Sequence, residues 1–240
     1  VNLAASLAAA DRRVLLIDLD PQGNATTGSG VNKSELSSTV YHVLLGSHGL
    51  PDVRVSAKQG GYDVIPANRE LAGAEIELVD EERREQRLRE ALAPVAQDYD
   101  YVLIDCPPAL SLLTLNGLVA AQSVMIPMQC EYYALEGLSD LVNTVKKVRA
   151  NLNPELEIEG LLRTMFDPRN ALAQQVSDQL QRHFGDKVYS TVIPRNIRLA
   201  EAPSYGTPVL FYDRASKGAL AYVALAGEFL QRREGAAVPA

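Results

Sequence analysis

The chain has 240 residues, 47% hydrophobic and 22% charged, with a formal net charge of −7. That is ample core for an α/β domain, and the acidic balance argues against a protein that coats nucleic acid through bulk charge. Two cysteines without CxxC spacing, three scattered histidines and no apolar run of the roughly 18–20 residues of a membrane span argue against a disulfide scaffold, a histidine metal site and a transmembrane helix.

Helical and strand patterns alternate along the chain, the signature of βα units and a mainly parallel sheet. The opening VNLAASLAAA has the apolar content of a signal-peptide core, but no basic segment precedes it and Asp11-Arg12-Arg13 leads straight into a strand. A helix at 1–10 packed on a sheet is expected instead, in a chain whose missing initiator Met suits a fragment. A strand at 13–18, a long polar loop through 34, a short helix at 38–46 and a strand at 62–66 follow. Residues 69–96 read as helical, with the charged run Asp80 to Glu90 as a solvated face.

Strands are then expected at 101–105, 123–128, 157–163 and 187–192. They alternate with helices at 111–121, 134–151, 171–184 and 197–201, and a last helix spans 216–233. Gly235 to Ala240 should fray. No linker, repeat or low-complexity block divides the chain, so residues 1–240 read as a single domain. Cys106 and Cys130 each follow an apolar run and read as reduced, buried thiols of a cytosolic protein.

Two segments carry the chemistry. Val14-Leu-Leu-Ile runs directly into Asp18 and Asp20, and Tyr101-Val-Leu-Ile runs into Asp105-Cys106-Pro-Pro. Parallel strands buried on both faces read this way, and their carboxyl ends are where open α/β sheets bind ligands. Two acid-tipped strands suggest a site for a hydrated divalent cation and a phosphate chain.

DLDPQGNAT, AGAEIEL, YDYVLIDCPP, QCEYYALEGL and VIPRNIRLAEAPSYG together resemble the ParA/Soj partitioning ATPases of the deviant Walker A P-loop class, from Val1 to about Gly227. The resemblance implies a P-loop NTPase fold, a mainly parallel twisted sheet with helices on both faces. In the family a strand and the phosphate-binding loop KGGVGKTT would lie immediately before Val1, so the chain reads as an N-terminally truncated domain. Gly28-Ser-Gly-Val-Asn-Lys33-Ser34 mimics that loop faintly, but Asn32 replaces the glycine before lysine, and it reads as an ordinary loop.

By resemblance, Asp105 is the Walker B aspartate that holds Mg²⁺ through water, and Asp20 orients the attacking water beside the ATP γ-phosphate. Asp18 supports the Mg²⁺ shell or caps the turn. Gln22, Gly23 and Asn24 respond to the γ-phosphate and to the partner subunit, and Gln129 to Gly137 lies at the nucleotide-sandwich dimer interface. Met165, Pro194 and Asn196 enclose the base. Arg169 and Arg198 match positions that touch DNA in Soj-like relatives, with Arg195 and Lys217 as auxiliaries.

Between Leu161 and Leu199 six basic residues face three acidic ones, a local +3 in an acidic chain. Planar arginine forks suit phosphate contact.

The resemblance thus implies a cytoplasmic, nucleoid-associated ATPase. An ATP-dependent homodimer would bind double-stranded DNA nonspecifically, and a ParB-type activator would release it by stimulating hydrolysis. Three alternatives stand beside this reading. A MinD-like positioning ATPase would need a basic amphipathic tail, whereas 216–233 is Ala-rich and reads as a packed helix without membrane anchoring. An iron–sulfur ATPase would need cysteines placed to share a cluster across a dimer. The third is an inactive truncated product that does not bind nucleotide.

Overall fold

The computed structural model describes residues 1–132 and 134–235. They form a mainly parallel α/β fold in two compact units, Val1–Ala121 with Glu201–Tyr212, and Gln122–Ala200 with Asp213 onward. The first unit contains α1 (Asn2–Ala8), β1 (Val14–Asp18), α2 (Asn24–Gly28), α3 (Val40–Leu44), α4 (Leu50–Val53), β2 (Val55–Ser56) and β3 (Asp63–Ile65). It continues with α5 (Leu71–Glu77), α6 (Arg87–Leu92), β4 (Tyr101–Asp105) and α7 (Leu112–Ala120).

Its sheet runs β2-β3-β1-β4, parallel except for β2, which pairs antiparallel at the edge. All five residues of β1 are buried, as expected of a central strand covered on both faces. Leu15 and Ile17 point into a core formed with Val43, Leu50, Leu71, Leu88 and Leu113, while α1 packs against β1. Asn116 of α7 is fully buried; its amide accepts from Leu88 N–H and donates to the Arg84 and Leu112 carbonyls.

The second unit contains β5 (Ser123–Gln129), α8 (Ala134–Asn151), β6 (Glu157–Phe166), α9 (Ala171–Phe184), β7 (Val188–Pro194) and most of α10 (Ile197–Glu201). Its parallel sheet runs β5-β6-β7. The chain then returns to the first unit through the turn Ala202–Tyr205 and α11 (Val209–Tyr212), and re-enters the second as α12 (Lys217–Gly235). The return is tight: Gly30 (φ 79°) and Gly206 (φ 59°) meet so closely that a Cβ on either would lie 2.8 Å from the other residue's backbone.

Three expectations are corrected. The helix expected over 69–96 is broken into α5, a 3-10 turn at Arg84–Gln86, α6 and a 3-10 turn at Ala96–Asp98. Residues 80–86 offer no apolar side chain to bury, so nothing holds that stretch against the core. Its charges pair locally instead, Arg87 with Glu81 at 2.6 Å and Arg83 with Glu90. The polar loop expected through 34 contains α2 and a 3-10 turn at Lys33–Glu35. The last helix continues to Gly235, and the rest of the expected frayed end lies outside the described residues.

No helix among the described residues is long and apolar enough to cross a membrane.

Candidate functional site

In the first unit, β1 and β4 end side by side with Asp18 and Asp105 as register partners. Leu19 continues the ladder by donating its N–H to the Asp105 carbonyl at 2.8 Å. The chain then turns through Asp20, Pro21, Gln22 and Gly23 into α2. The turn closes by a bond from Gly23 N–H to the Asp20 carbonyl at 2.8 Å. Gly23 has φ 62°, and a Cβ there would lie 2.7 Å from the Ala67 carbonyl oxygen, so glycine is required twice over.

Asp18 is fully buried, and both of its oxygens are occupied. Oδ1 accepts from Asp20 N–H at 3.1 Å; Oδ2 accepts from Thr26 N–H at 2.8 Å and from the Thr26 hydroxyl at 2.7 Å. Of the two roles expected for Asp18, this geometry matches turn capping. Asp20 is half-buried, and its Oδ1 accepts from Gln22 N–H at 2.9 Å. Lys33 donates to the Gln22 carbonyl at 2.6 Å and acts as a staple for this turn, in keeping with its reading as part of an ordinary loop.

Electrostatics sets the acids apart from ordinary surface carboxylates. Burial raises the Asp18 pKa, against the lowering effect of the Thr26 bonds. Burial also raises Asp105, and the Asp18 charge adds to that rise. Asp105 is nonetheless open to solvent at the strand end. No cluster of three or more His, Cys, Asp or Glu side chains among the described residues could hold a metal by itself. One open hard-oxygen carboxylate fits Mg²⁺, which commonly takes one or two protein carboxylates and completes its shell with water and phosphate.

Cys106, next in sequence, has its thiol pushed up to about 12, chiefly by burial and then by the Asp105 charge. A Cβ on Gly117 of α7 would lie 2.6 Å from its sulfur, so this thiol is helix–strand packing. Both cysteines are free.

In the second unit, the expected base-contact residues lie at the ends of β6 and β7. Phe166 pairs with Pro194, and Arg195 N–H donates to the Phe166 carbonyl at 3.3 Å. Met165 lies within β6, where a strand end at 163 had been expected, and the ladder shifts register there. Met165 adopts φ 48°, a left-handed conformation that costs a non-glycine residue about 1–2 kcal/mol, and it is exposed. Asn196 accepts from Arg198 N–H at 3.1 Å, an Asx turn that starts α10.

Arg169 and Arg195 follow the same strand ends, Arg198 lies in α10 and Lys217 in α12. Arg169 is 88% exposed and grips Asp167 with two bonds, Nε to Oδ1 at 3.0 Å and Nη2 to Oδ2 at 2.8 Å. The guanidinium holds the Asp167 carboxyl down at about 2, and Arg195 adds to that lowering. Arg198 pairs with Asp213 at 3.2 Å, and Lys217 opens α12, exposed. The sequence reading marked these cations but missed the carboxylates that neutralise two of them. It also missed Thr26 and Ala67, whose part in the acidic turn no motif announces. Tyr133, expected with Tyr132 at the dimer interface, lies outside the described residues.

Acids at the carboxyl ends of adjacent parallel strands, in a sheet flanked by helices, define an α/β protein whose ligand site lies at the strand ends; its structural neighbours make the fold that of the P-loop ATPases. The comparisons agree. A protein-family model described as "AAA domain" matches residues 1–158. The sporulation initiation inhibitor protein Soj of Bacillus subtilis is 54% identical, over 95% of this chain and 90% of its own length. The chromosome partitioning protein ParA of Caulobacter vibrioides is 51% identical, over 97% of this chain and 88% of its own. A solved structure described as cobyrinic acid a,c-diamide synthase from Mycobacterium smegmatis, with bound ADP and magnesium, superposes with a TM-score of 0.85. It is 36% identical and covers 98% of this chain and 88% of its own. The chain belongs to the ParA/Soj family of chromosome-partitioning ATPases.

Proposed function

We propose that the protein is a nucleotide-gated DNA-partitioning ATPase. Its ATP–Mg²⁺ form pairs two copies and binds double-stranded DNA without sequence preference. The observation that carries this reading is the Asp18/Asp105 strand pair, with Asp20 at the half-exposed head of the adjoining turn, in a chain of this family.

Asp105 would hold Mg²⁺ through water, and the bound ion would neutralise charge on the phosphate chain. Asp20 holds a water by accepting its hydrogen bond and takes up proton density as that water becomes the nucleophile. Gln22, Gly23 and Asn24, at the tight entry to α2, would respond to the γ-phosphate and to the partner subunit. Met165, Pro194 and Asn196 would flank the base.

Arg169, Arg195, Arg198 and Lys217 would contact DNA phosphates. So few contacts in one subunit bind weakly and fail with added salt, and pairing two subunits doubles them. A ParB-type activator that speeds hydrolysis would then release the DNA, giving a cytoplasmic protein found on the nucleoid.

α12 packs as an integral helix of the second unit. α12 buries Leu225, Ala226 and Phe229, Arg232 stacks 4.1 Å from the Tyr189 ring, and Arg233 pairs with Glu159. Those basic groups are engaged within the fold.

Light scattering of the full-length protein with ATP–Mg²⁺ and with ADP–Mg²⁺, alongside phosphate release, tests the ATPase half. The reading requires Mg²⁺-dependent hydrolysis and a doubled mass with ATP alone. An unchanged mass in both nucleotides would remove the gated dimer.

A further inference from the structure

We propose that Thr26 is a positioning residue for hydrolysis, its hydroxyl coupling Asp18 to the loop after β3 and thereby fixing the turn that carries Asp20. This rests on the reading of Asp20 as the water-orienting group.

Three amides that the fold must satisfy meet at one buried pair. Asp18 and Thr26 are both fully buried. The two ends of the turn, Asp20 N–H and Thr26 N–H, converge on the same Asp18 carboxylate at 3.1 and 2.8 Å. The Thr26 hydroxyl lies 2.7 Å from Asp18 Oδ2 and 2.9 Å from Ala67 N.

An amide nitrogen can only donate, so the Thr26 oxygen accepts from Ala67 and its single proton points to Asp18. The side chain is thus a one-way bridge between the β1 carboxylate and the β3 loop. Gly23, packed against the Ala67 carbonyl, brings the turn against that loop a second time. With its backbone pinned on both sides and its Oδ1 on Gln22 N–H, Asp20 is held in place at the half-buried head of the turn. A displacement of about 1 Å in such a group costs on the order of 100-fold in rate.

Two substitutions separate positioning from packing. Thr26→Val keeps shape and removes the hydroxyl, leaving Ala67 N–H without an acceptor; Thr26→Ser keeps the hydroxyl and drops only the methyl. In the full-length protein, Thr26→Val should lower kcat for ATP about 10- to 100-fold with KM within about threefold. Thr26→Ser should stay within about threefold of the parent. Without nucleotide, hydrogen exchange at the Asp20, Thr26 and Ala67 amides should accelerate in Thr26→Val and remain slow in Thr26→Ser.

Parent-like kcat and exchange in Thr26→Val, or equal loss in both variants, would overturn the proposal. Should Thr26→Val not fold, Thr26→Ser decides alone: retained kcat and slow exchange support the bridge, and their loss refutes it. If the parent hydrolyses no ATP, the reading of Asp20 fails, while the exchange rates still decide whether the hydroxyl holds the turn.

Discussion

Asp18 and Asp105 close the β1–β4 ladder as its last register pair, two carboxylates with raised pKa values at the ends of neighbouring parallel strands. The native state therefore binds these protons more tightly than the unfolded chain does. Their stabilising contribution is complete below the ordinary carboxyl value of 3.8 and is lost as pH rises through the raised native values. Asp105→Asn removes one of the charges. Without nucleotide, it should melt with the parent near pH 4 and above it at pH 7.5, by on the order of 1–3 °C. Thermal unfolding at the two pH values checks the sign; a variant that melts lower at pH 7.5 would refute the repulsion.

The Asp20 side chain accepts from Gln22 N–H, while the turn is held by backbone bonds that alanine keeps, so removing the carboxylate should separate binding from chemistry. Asp20→Ala is expected to lose about 10²- to 10³-fold in kcat and to keep ATP affinity within a few-fold. Single-turnover hydrolysis and equilibrium nucleotide binding measure the two separately.

Arg169 and Arg198 each meet a carboxylate of their own unit, which a DNA phosphate would have to displace if the proposed contacts form. Arg169→Ala should weaken DNA binding equally on unrelated sequences and reduce the log–log salt slope by about 0.9 for each phosphate no longer neutralised. Asp167→Asn should do the opposite, tightening binding at low salt, because the freed fork no longer has a resident anion. Titrations at several salt concentrations distinguish the two.

Glycines separate required from replaceable backbone. Gly23→Ala meets both a positive φ and the Ala67 carbonyl, and should destabilise by about 2 kcal/mol or more. Gly137→Ala in α8 meets nothing within 4 Å and should stabilise by about 0.5–1 kcal/mol. Urea unfolding of both variants provides the comparison.

β1 was legible because burial on both faces leaves an unbroken apolar run, Val14 to Ile17, before its acid; β4 shows the same run before Asp105 although it lies at the edge of its sheet and is only half-buried. β2 was not legible: a two-residue edge strand carries no periodicity. The charged stretch after α5 reads as helix from its residue types and fails as one for want of a face to bury. Asp18, Asp20 and Asp105 could be picked out as acids at strand ends. The bridge through Thr26 could not, since it joins residues 41 apart in sequence and ends on a backbone N–H. The arginines were visible as residue types, whereas the pairing of Arg198 with Asp213 depends on how the chain returns to α12.

The most direct test of the account is fluorescence anisotropy of a DNA duplex titrated with the full-length protein in ATP–Mg²⁺, ADP–Mg²⁺ or no nucleotide, at two salt concentrations. The account predicts binding with ATP–Mg²⁺ alone, indifferent to sequence and sharply weaker at the higher salt. Binding of equal strength in all three states, or none in any, would contradict a nucleotide-gated DNA-partitioning ATPase.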